Sequence, residues 1–376
     1  MLDGMSRYLF SSHDGFGLGH VRRNTLIARA VLALDPAAEV TIVTGLALKP
    51  AWLQHERMDV VRVPSLVKHS SGPYRNPTLP FEQALARRAA LFTDTIRQVR
   101  PDVVVVDRHP YGIGGELQEG LHLARSLGSS LVLGLRDVLD EPRVVATELA
   151  GAGWEGVEEF FDEVLVYGER HLCDHELEYG LPIPPSYCGW IADRAPRRPR
   201  DPALLVVAGG GGGDGAEVFA LGAALTRLVH SLRTILVAGP YAARGAVDDL
   251  AADDALGVRL QVRRDVAGCA ELFAEAHGIV QMAGYNSTFE ALGAGVRPVL
   301  VPRRNPRREQ AIRANRLASL GLADVVDETT PAEEVAWLLS RPRLLTTHAL
   351  DDAGIRLDGD RRAAAAIVAH AGVRVG

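Results

Sequence analysis

The chain has 376 residues, of which 47% are hydrophobic and 23% charged, the balance of a globular protein that can fill two cores. This composition excludes intrinsic disorder, and the net charge of −6 argues against a general nucleic-acid binder. No apolar run reaches the length of a membrane span, and the N-terminus lacks a signal-peptide pattern. The three cysteines lie far apart in the chain. We therefore expect a soluble cytoplasmic protein without a disulfide framework.

Short apolar or β-branched runs alternate with segments of helical apolar spacing along the whole chain. In chain order, the predicted strands are Tyr8–Ser12, Val40–Gly45, Val60–Val63, Val103–Asp107, Leu131–Leu135, Val164–Gly168, Leu204–Ala208, Thr234–Ala238, Val258–Val262, Gly278–Met282 and Pro298–Val301. The clearest helices between them are Leu26–Leu34, Phe81–Val99, Gly115–Leu127, Ala216–Leu232 and Gln310–Leu320. This alternation predicts an α/β fold, with parallel sheets that carry helices on both faces.

A proline-rich segment divides the chain near its middle. Residues 193–202 contain three prolines among charged residues, a composition that does not fit the interior of a sheet or a helix. We therefore predict an N-terminal domain over residues 1–192, a linker over 193–202 and a C-terminal domain over 203–376. Each domain is expected to be doubly wound and Rossmann-like. The last helix, near Asp360–His370, is a candidate to pack back on the N-terminal domain.

A glycine-rich turn follows the first predicted strand. Its glycines, among them Gly17 and Gly19, permit a tight strand-to-helix turn, and the next helix would direct free amide groups at a ligand. His20 lies at the mouth of this turn, at the sheet edge where ligands bind in open α/β folds. A dinucleotide-binding fingerprint would need a glycine where Arg22 stands, so hydride transfer is not predicted.

A second candidate residue, Asp107, ends the valine run Val103–Val106. Such a run is typical of a buried central strand, which would deliver this carboxylate to the same edge as His20. A carboxylate in that place can hold an imidazole in one tautomer and stabilise its protonated form. The alternatives are a salt bridge to Arg108 or a helix-capping role.

Five consecutive glycines, residues 209–213, follow the first strand of the second half. Gly210, Gly211 and Gly212 would let the backbone approach a phosphate closely. The loop has no following Lys-Ser/Thr pair, so it is not a P-loop, and a flexible turn is the alternative.

The most informative pattern begins after the predicted strand Gly278–Met282. Asn286 or Ser287 can cap a helix there, and the first amides of such a helix form an anion site. Glu290 lies one turn further, on the face of Asn286, where its carboxylate can accept the hydroxyls of a ribose. An arginine-rich segment, 303–310, follows the next strand and brings guanidinium groups to the same edge.

These motifs together resemble those of inverting nucleotide-sugar glycosyltransferases of the GT-B fold, in which two Rossmann-like domains face each other across a cleft. The pattern is similar to that of plant secondary-product glycosyltransferases and of the bacterial N-acetylglucosaminyltransferase that makes lipid II. Across nearly the whole chain, the likeness is to bacterial predicted glycosyltransferases related to the latter enzyme. The segments that carry it are 17–23, 134–140, 282–290 and 306–317.

The resemblance implies transfer of a hexose or N-acetylhexosamine from a nucleoside diphosphate sugar, with UDP favoured, to an acceptor hydroxyl. His20 would be the catalytic base, and Asp107 would pair with it. The residues implied on the donor side are Gly210, Gly211, Gly212, Gly284, Tyr285, Asn286, Ser287, Thr288, Glu290, Arg303, Arg307, Glu309 and Gln310. The residues expected on the acceptor side are Gly17, Gly19, Arg23, Arg136 and Asp137.

In one respect the chain departs from the plant enzymes. They have a phosphate-binding histidine where this chain has Met282. The donor phosphates would then be held by backbone amides, by the glycine run or by arginines such as Arg303 and Arg307. No metal or cofactor is implied, because amides and a helix start can stabilise the leaving group.

Three other functions stay open at this point. A sugar-nucleotide hydrolase would use the same histidine to activate water, a non-hydrolysing epimerase is more distant, and a sugar-nucleotide-binding subunit would need no catalytic base. The acceptor is also open between lipid-linked, polysaccharide and small molecules, with Tyr74 expected near it. Arg87, Arg88 and Arg97 would suit an anionic acceptor or a peripheral membrane contact, although a solvated helix face is the favoured interpretation.

Overall fold

The structure, a computed structural model, describes residues 5–13, 18–67, 73–196, 198–210, 215–242, 244–264, 268–305 and 307–372. The chain forms two compact units. The first consists of Met1–Ile191 together with Asp358–Gly376, and the second of Ala192–Leu357. The predictions made above for Gly17, Gly211 and Gly212 concern residues outside the described ranges.

The first unit is built on a parallel sheet of seven strands. They are β1 (Arg7–Ser12), β2 (Glu39–Thr44), β3 (Met58–Arg62), β4 (Val103–Asp107), β5 (Ser130–Arg136), β6 (Glu163–Tyr167) and β7 (Ser186–Tyr187). Their spatial order is β3-β2-β1-β4-β5-β6-β7, so the strand order reverses between β1 and β4. In open α/β sheets, ligands bind at such a reversal, beyond the carboxyl ends of the strands.

Helices cover this sheet, and the strands are therefore buried on both faces, as β4 shows at all five positions. The helices that precede the second unit are α1 (Gly19–Leu34), α2 (Phe81–Val99), α3 (Gln118–Ser126), α4 (Pro142–Leu149), α5 (Val157–Phe160) and α6 (His175–Tyr179). The predicted start of the first helix, at Leu26, was wrong. The true start is hidden in the sequence because buried polar residues, Arg22–Thr25, replace the apolar pattern.

The second unit has a parallel sheet of six strands with the same kind of reversal, between β8 and β11. The strands are β8 (Asp201–Ala208), β9 (Arg233–Val237), β10 (Leu260–Arg263), β11 (Ala276–Gln281), β12 (Val299–Leu300) and β13 (Asp324–Val325), in the order β10-β9-β8-β11-β12-β13. The helices are α7 (Ala216–Leu228), α8 (Arg244–Ala251), α9 (Ala270–Glu275), α10 (Tyr285–Gly293), α11 (Glu309–Ser319), α12 (Ala332–Ser340) and α13 (Ala349–Asp352). Separate hydrophobic clusters fill the two faces of the sheet. Both units therefore confirm the predicted α/β class with doubly wound sheets.

The last helix, α14 (Gly359–Ala371), belongs to the first unit and packs against α1. The N–H of Gly359 donates to the carbonyl of Trp190 at 3.1 Å. A Cβ on Gly359 would lie only 2.4 Å from the carbonyl oxygen of Gly189, so the close approach of the two backbones requires glycine. Within the described ranges, no helix is long and apolar enough to cross a membrane.

Candidate functional site

His20 and Asp107 meet at the strand reversal of the first unit. His20 is the second residue of α1, Asp107 is the last residue of β4, and β4 pairs with β1 directly. Nδ1 of His20 lies 2.7 Å from Oδ2 of Asp107, and the two side chains are 24% and 1% exposed. Because the ionised carboxylate only accepts hydrogen bonds, this contact favours the tautomer with the proton on Nδ1 of His20, which leaves Nε2 as the basic atom.

Arg23 completes this arrangement from the next turn of α1. Its Nη2 donates to Oδ1 of Asp107 at 2.7 Å, and its guanidinium carbon lies 5.2 Å from the centroid of the Tyr167 ring. Burial by itself would raise the pKa of Asp107, but the charge of Arg23 and the imidazole of His20 hold that pKa well below its ordinary value. The structure thus places Arg23, which was predicted on the acceptor side, against the buried carboxylate that contacts His20.

Two further histidines lie beside His20, and the sequence analysis did not single them out. The ring centroid of His13 is 5.4 Å from that of His20 and 4.5 Å from that of His109. Nε2 of His13 is 3.4 Å from the hydroxyl of Tyr74. Burial and the neighbouring His20 lower the pKa of His13 well below its ordinary value, so His13 is neutral at neutral pH. The sequence does contain one signal for His13, because it directly follows β1 and therefore lies at the same sheet edge as His20.

The structure also assigns partners to the arginines near this edge. Arg108 does not pair with the preceding aspartate; its Nη2 donates to Oε2 of Glu148 at 2.8 Å. Arg88 is buried, with its Nε 3.0 Å from Oε1 of Glu116. The prediction of a solvated helix face was therefore wrong for Arg88, whose guanidinium is paired with Glu116 inside the first unit.

Asp137, predicted on the acceptor side, is hydrogen-bonded inside the first unit. It is 1% exposed, and its carboxylate accepts the N–H of Val138 at 2.8 Å and Nε1–H of Trp190 at 3.2 Å. The neighbouring Arg136 donates from Nη2 to the carbonyl of Leu139 at 3.3 Å. These contacts fix the end of β5 to the segment at Trp190.

In the second unit, the predicted helix follows β11 as expected, but its cap was predicted incorrectly. Gly284 is the N-cap of α10, with φ −66° and ψ 146°, and no side chain caps the helix. Asn286 and Ser287 lie inside the first turn, together with Tyr285 and Thr288. Because the N-cap residue is glycine, it has no side-chain oxygen to accept hydrogen bonds from the first amides of α10. Those amides can therefore bind an anion.

Arg313 supports this corner from α11 and was missed in the sequence. It is fully buried, its Nη1 donates to the carbonyl of Ala283 at 2.8 Å, and it lies 5.7 Å from the centroid of the Tyr285 ring. Gln281 fixes the same corner by donating from Nε2 to the carbonyl of Ser287 at 3.2 Å. Nothing in the sequence separates Arg313 from the many other arginines, because its partner is a backbone carbonyl.

Glu290 is buried in α10, and its carboxylate is oriented by the backbone. Oε2 accepts the N–H of Cys269 at 2.9 Å, and the residue is 3% exposed. The structure therefore adds a partner for Glu290 that the sequence did not predict. The contact joins α10 to the start of α9.

Two of the residues predicted on the donor side, at the start of α11, bind the loop that precedes this helix. Oε1 of Gln310 accepts the backbone N–H of Arg303 at 3.1 Å, and Oε1 of Glu309 accepts from Nη2 of Arg303 at 2.9 Å. Glu309 and Gln310 are buried, and Arg307 is partly exposed. The structure thus brings three of the predicted residues, Arg303, Glu309 and Gln310, into one hydrogen-bonded group.

Gly210 lies at the strand reversal of the second unit. Its φ is 77°, a conformation that favours glycine. A Cβ there would lie 3.8 Å from the sulfur of Met282, whose N–H donates to the carbonyl of Ala208 at 3.1 Å. The start of the glycine run is thus next to the segment that leads into α10. Within the part of the chain that the structure describes, no group of three histidine, cysteine or acidic residues could hold a metal ion.

Sequence comparison finds no family model and no curated protein that matches this chain. Comparison with solved structures finds MurG of Acinetobacter baumannii, 18% identical with a TM-score of 0.60, over 97% of this chain and 100% of that one. The glycotransferase of kitacinnamycin is 17% identical with a TM-score of 0.64, over 98% and 99% of the two chains. A UDP-glucosyltransferase of Polygonum tinctorium is 13% identical with a TM-score of 0.64, over the full length of both chains.

The fold is that of the GT-B glycosyltransferases. Each match covers nearly the whole of both chains, so the likeness extends over both Rossmann-like units. This confirms the fold that the sequence motifs predicted. At these identities the comparison establishes the fold, and the chemistry has to be argued from the residues themselves.

Proposed function

We propose that the protein is an inverting glycosyltransferase. It would move a hexose or N-acetylhexosamine from a nucleoside diphosphate sugar, with UDP as the nucleotide, to an acceptor hydroxyl. The observation that carries the proposal is the 2.7 Å contact between Nδ1 of His20 and Oδ2 of Asp107 at the strand reversal. It is supported by two structural neighbours, a glucosyltransferase capable of glucosylating indoxyl and a Medicago truncatula UGT in complex with UDP-glucose.

In the proposed reaction, His20 is the general base. Its Nε2 takes the proton of the acceptor hydroxyl while the acceptor oxygen attacks the anomeric carbon of the donor. The bond between that carbon and the phosphate oxygen breaks, and the nucleoside diphosphate leaves with the electron pair. Asp107 stabilises the imidazolium that forms and keeps the ring in the productive tautomer. A single displacement of this kind inverts the anomeric configuration.

We assign donor binding to the second unit. The amides at the start of α10 and at Gly210 would bind the pyrophosphate, with Arg303 and Arg307 as nearby cations. The Glu290 carboxylate, oriented by the N–H of Cys269, would accept the ribose hydroxyls. The negative charge that develops on the leaving group would be met by these fixed amides and guanidinium groups.

The sugar hydroxyls of the donor are assigned to the first two residues of α11. Glu309 and Gln310 are held in place by Arg303, at 2.9 and 3.1 Å, and their carboxylate and amide groups are suited to hydroxyls. The acceptor class stays open between lipid-linked, polysaccharide and small molecules. Arg88, already paired with Glu116, gives no support to an anionic acceptor.

Phosphorus NMR of the purified protein with UDP-, TDP- and GDP-sugars tests this proposal. A transferase should broaden the signals of one donor and release nucleotide slowly until an acceptor hydroxyl is supplied. Complete release without an acceptor would indicate a sugar-nucleotide hydrolase, and binding without release under any condition would indicate a binding subunit. Unchanged signals for every donor would contradict donor binding at α10.

A further inference from the structure

The chain makes a strained turn directly after β4, centred on Arg108. The φ of Arg108 is 74°, in the left-handed region that disfavours a residue with a Cβ. The N–H of His109 donates to the carbonyl of Asp107 at 3.0 Å and closes a three-residue turn of the rare, strained kind. The N–H of Arg108 donates to the carbonyl of Gly134 at 2.9 Å, which fixes the turn to β5.

The side chain of Arg108 is tied to a second element. Its Nη2 lies 2.8 Å from Oε2 of Glu148 in α4, and the arginine side chain is only 3% exposed. The other oxygen of Glu148 lies 3.7 Å from Nδ1 of His109. Removing Glu148 would leave the buried charge of Arg108 uncompensated, so this ion pair favours the conformation that forms it. The turn therefore remains left-handed although glycine is absent.

Both residues that flank Arg108 contact imidazoles of the candidate site. Asp107 binds Nδ1 of His20 at 2.7 Å, and the ring of His109 lies 4.5 Å from that of His13, centroid to centroid. The rings of His13 and His20 are themselves in contact. The conformation of Arg108 thus sets the positions of both the Asp107 carboxylate and the His109 ring.

We propose that Arg108 and Glu148 are positioning residues, which hold the strained turn so that Asp107 and His109 keep their contacts with His20 and His13. The inference rests on the proposed function, because it assigns a purpose to the orientation of His20 as a base. Arg108 touches none of the reacting groups in this account. It acts through Asp107, and its loss would misplace the base and leave donor binding to the second unit intact.

The test compares Arg108→Ala with Arg108→Gly and Glu148→Gln. Alanine removes the guanidinium and keeps the strain, whereas glycine removes both, since it adopts positive φ without a steric cost. We expect kcat to fall about tenfold or more in Arg108→Ala and Glu148→Gln, and to fall less in Arg108→Gly, with KM for the donor unchanged in all three. In proton NMR, the Nδ1–H signal of His20 should weaken in the same order.

Arg100 provides the matched control, because it is the other non-glycine residue with positive φ in the part of the chain that the structure describes, and it ends α2. Arg100→Ala and Arg100→Gly should change stability without changing the His20 signal. An unchanged His20 signal in Arg108→Ala, or equal losses in Arg108→Ala and Arg108→Gly, would overturn the proposal. If Arg108→Ala does not fold, Arg108→Gly and Glu148→Gln carry the test. The NMR signal reports the geometry even if the protein transfers no sugar, so failure of the proposed function is recognised separately.

Discussion

His20 and Arg23 bind the two different oxygens of one buried carboxylate, each at 2.7 Å. Asp107 therefore fixes the tautomer of the imidazole while its own charge is already compensated by the guanidinium. Because the guanidinium compensates the charge of Asp107, the carboxylate can orient the imidazole of His20 without leaving an unpaired charge in the interior.

Asp107→Asn should destabilise the first unit strongly. The substitution removes the carboxylate that binds the guanidinium of Arg23, which is 2% exposed, and this should lower the free energy of unfolding by ~3–5 kcal/mol. Urea denaturation measures the change. The double variant Arg23→Met with Asp107→Asn should recover part of the loss, because it removes the buried guanidinium together with the carboxylate. Equal stability of the wild type and Asp107→Asn would contradict the charge-compensation argument.

Two substitutions at Glu290 separate its binding role from its structural one. Glu290→Gln keeps an oxygen that can accept the N–H of Cys269 and removes the charge, so donor affinity should fall by ~1–3 kcal/mol with little loss of stability. Glu290→Ala should lower both, because the Cys269 amide loses its partner. Titration calorimetry with the donor and denaturation in parallel distinguish the two effects. If Glu290→Gln binds the donor as tightly as the wild type does, the ribose lies elsewhere.

The ion pair of α14 makes stability depend on pH. Nε2 of His370 lies 2.9 Å from Oε2 of Glu163, and this bond raises the pKa of His370 above 6.5 and lowers the pKa of Glu163 below 4.5. The His370 contribution is complete below pH 6.5 and is lost as the pH rises through its raised pKa. The Glu163 contribution is complete above pH 4.5 and is lost as the pH falls through its lowered pKa.

His370→Gln should therefore cost up to about 1 kcal/mol of unfolding free energy at about pH 5.5, and less at about pH 9. Thermal or urea unfolding at the two pH values measures the difference, with His122→Gln on the exposed surface of α3 as the control. The same loss at both pH values would show that the pair does not contribute through its charge.

Gly359→Ala should weaken the attachment of α14. The new Cβ would lie 2.4 Å from the carbonyl oxygen of Gly189, so the helix or the facing loop must shift, at ~1–3 kcal/mol. Gly372→Ala, at the other end of the helix, is the matched control because its Cβ would meet Ala369 at an ordinary 3.7 Å. Equal melting temperatures for the two variants would contradict the close approach seen at Gly359.

The sequence was sufficient for the parts of the molecule that follow from local pattern. The valine run that ends at Asp107 marked a central strand, and the glycine turn placed His20 at the same edge; the two side chains do meet. Parallel strands bring their carboxyl ends to one edge, so position along a strand was enough to pair residues that are far apart in sequence.

The remaining contacts could not be predicted, because they depend on side-chain and backbone groups that only folding brings together. The carboxylate of Asp137 accepts a hydrogen bond from the ring N–H of Trp190, Arg313 donates to a backbone carbonyl, and the N-cap of α10 is Gly284. None of these partners has a pattern in the sequence. The left-handed turn at Arg108 was not predicted either, because glycine, the usual sequence signal for such a turn, is absent there.

The most direct test of the account is the effect of His20→Ala on donor turnover and donor affinity measured together, with His122→Ala as the control. Loss of a general base should slow nucleotide release in the presence of acceptor by ~10²–10⁴-fold, while the affinity for the donor stays within about twofold of the wild type. Unchanged turnover in His20→Ala would contradict the assignment of the base and, with it, the proposed mechanism.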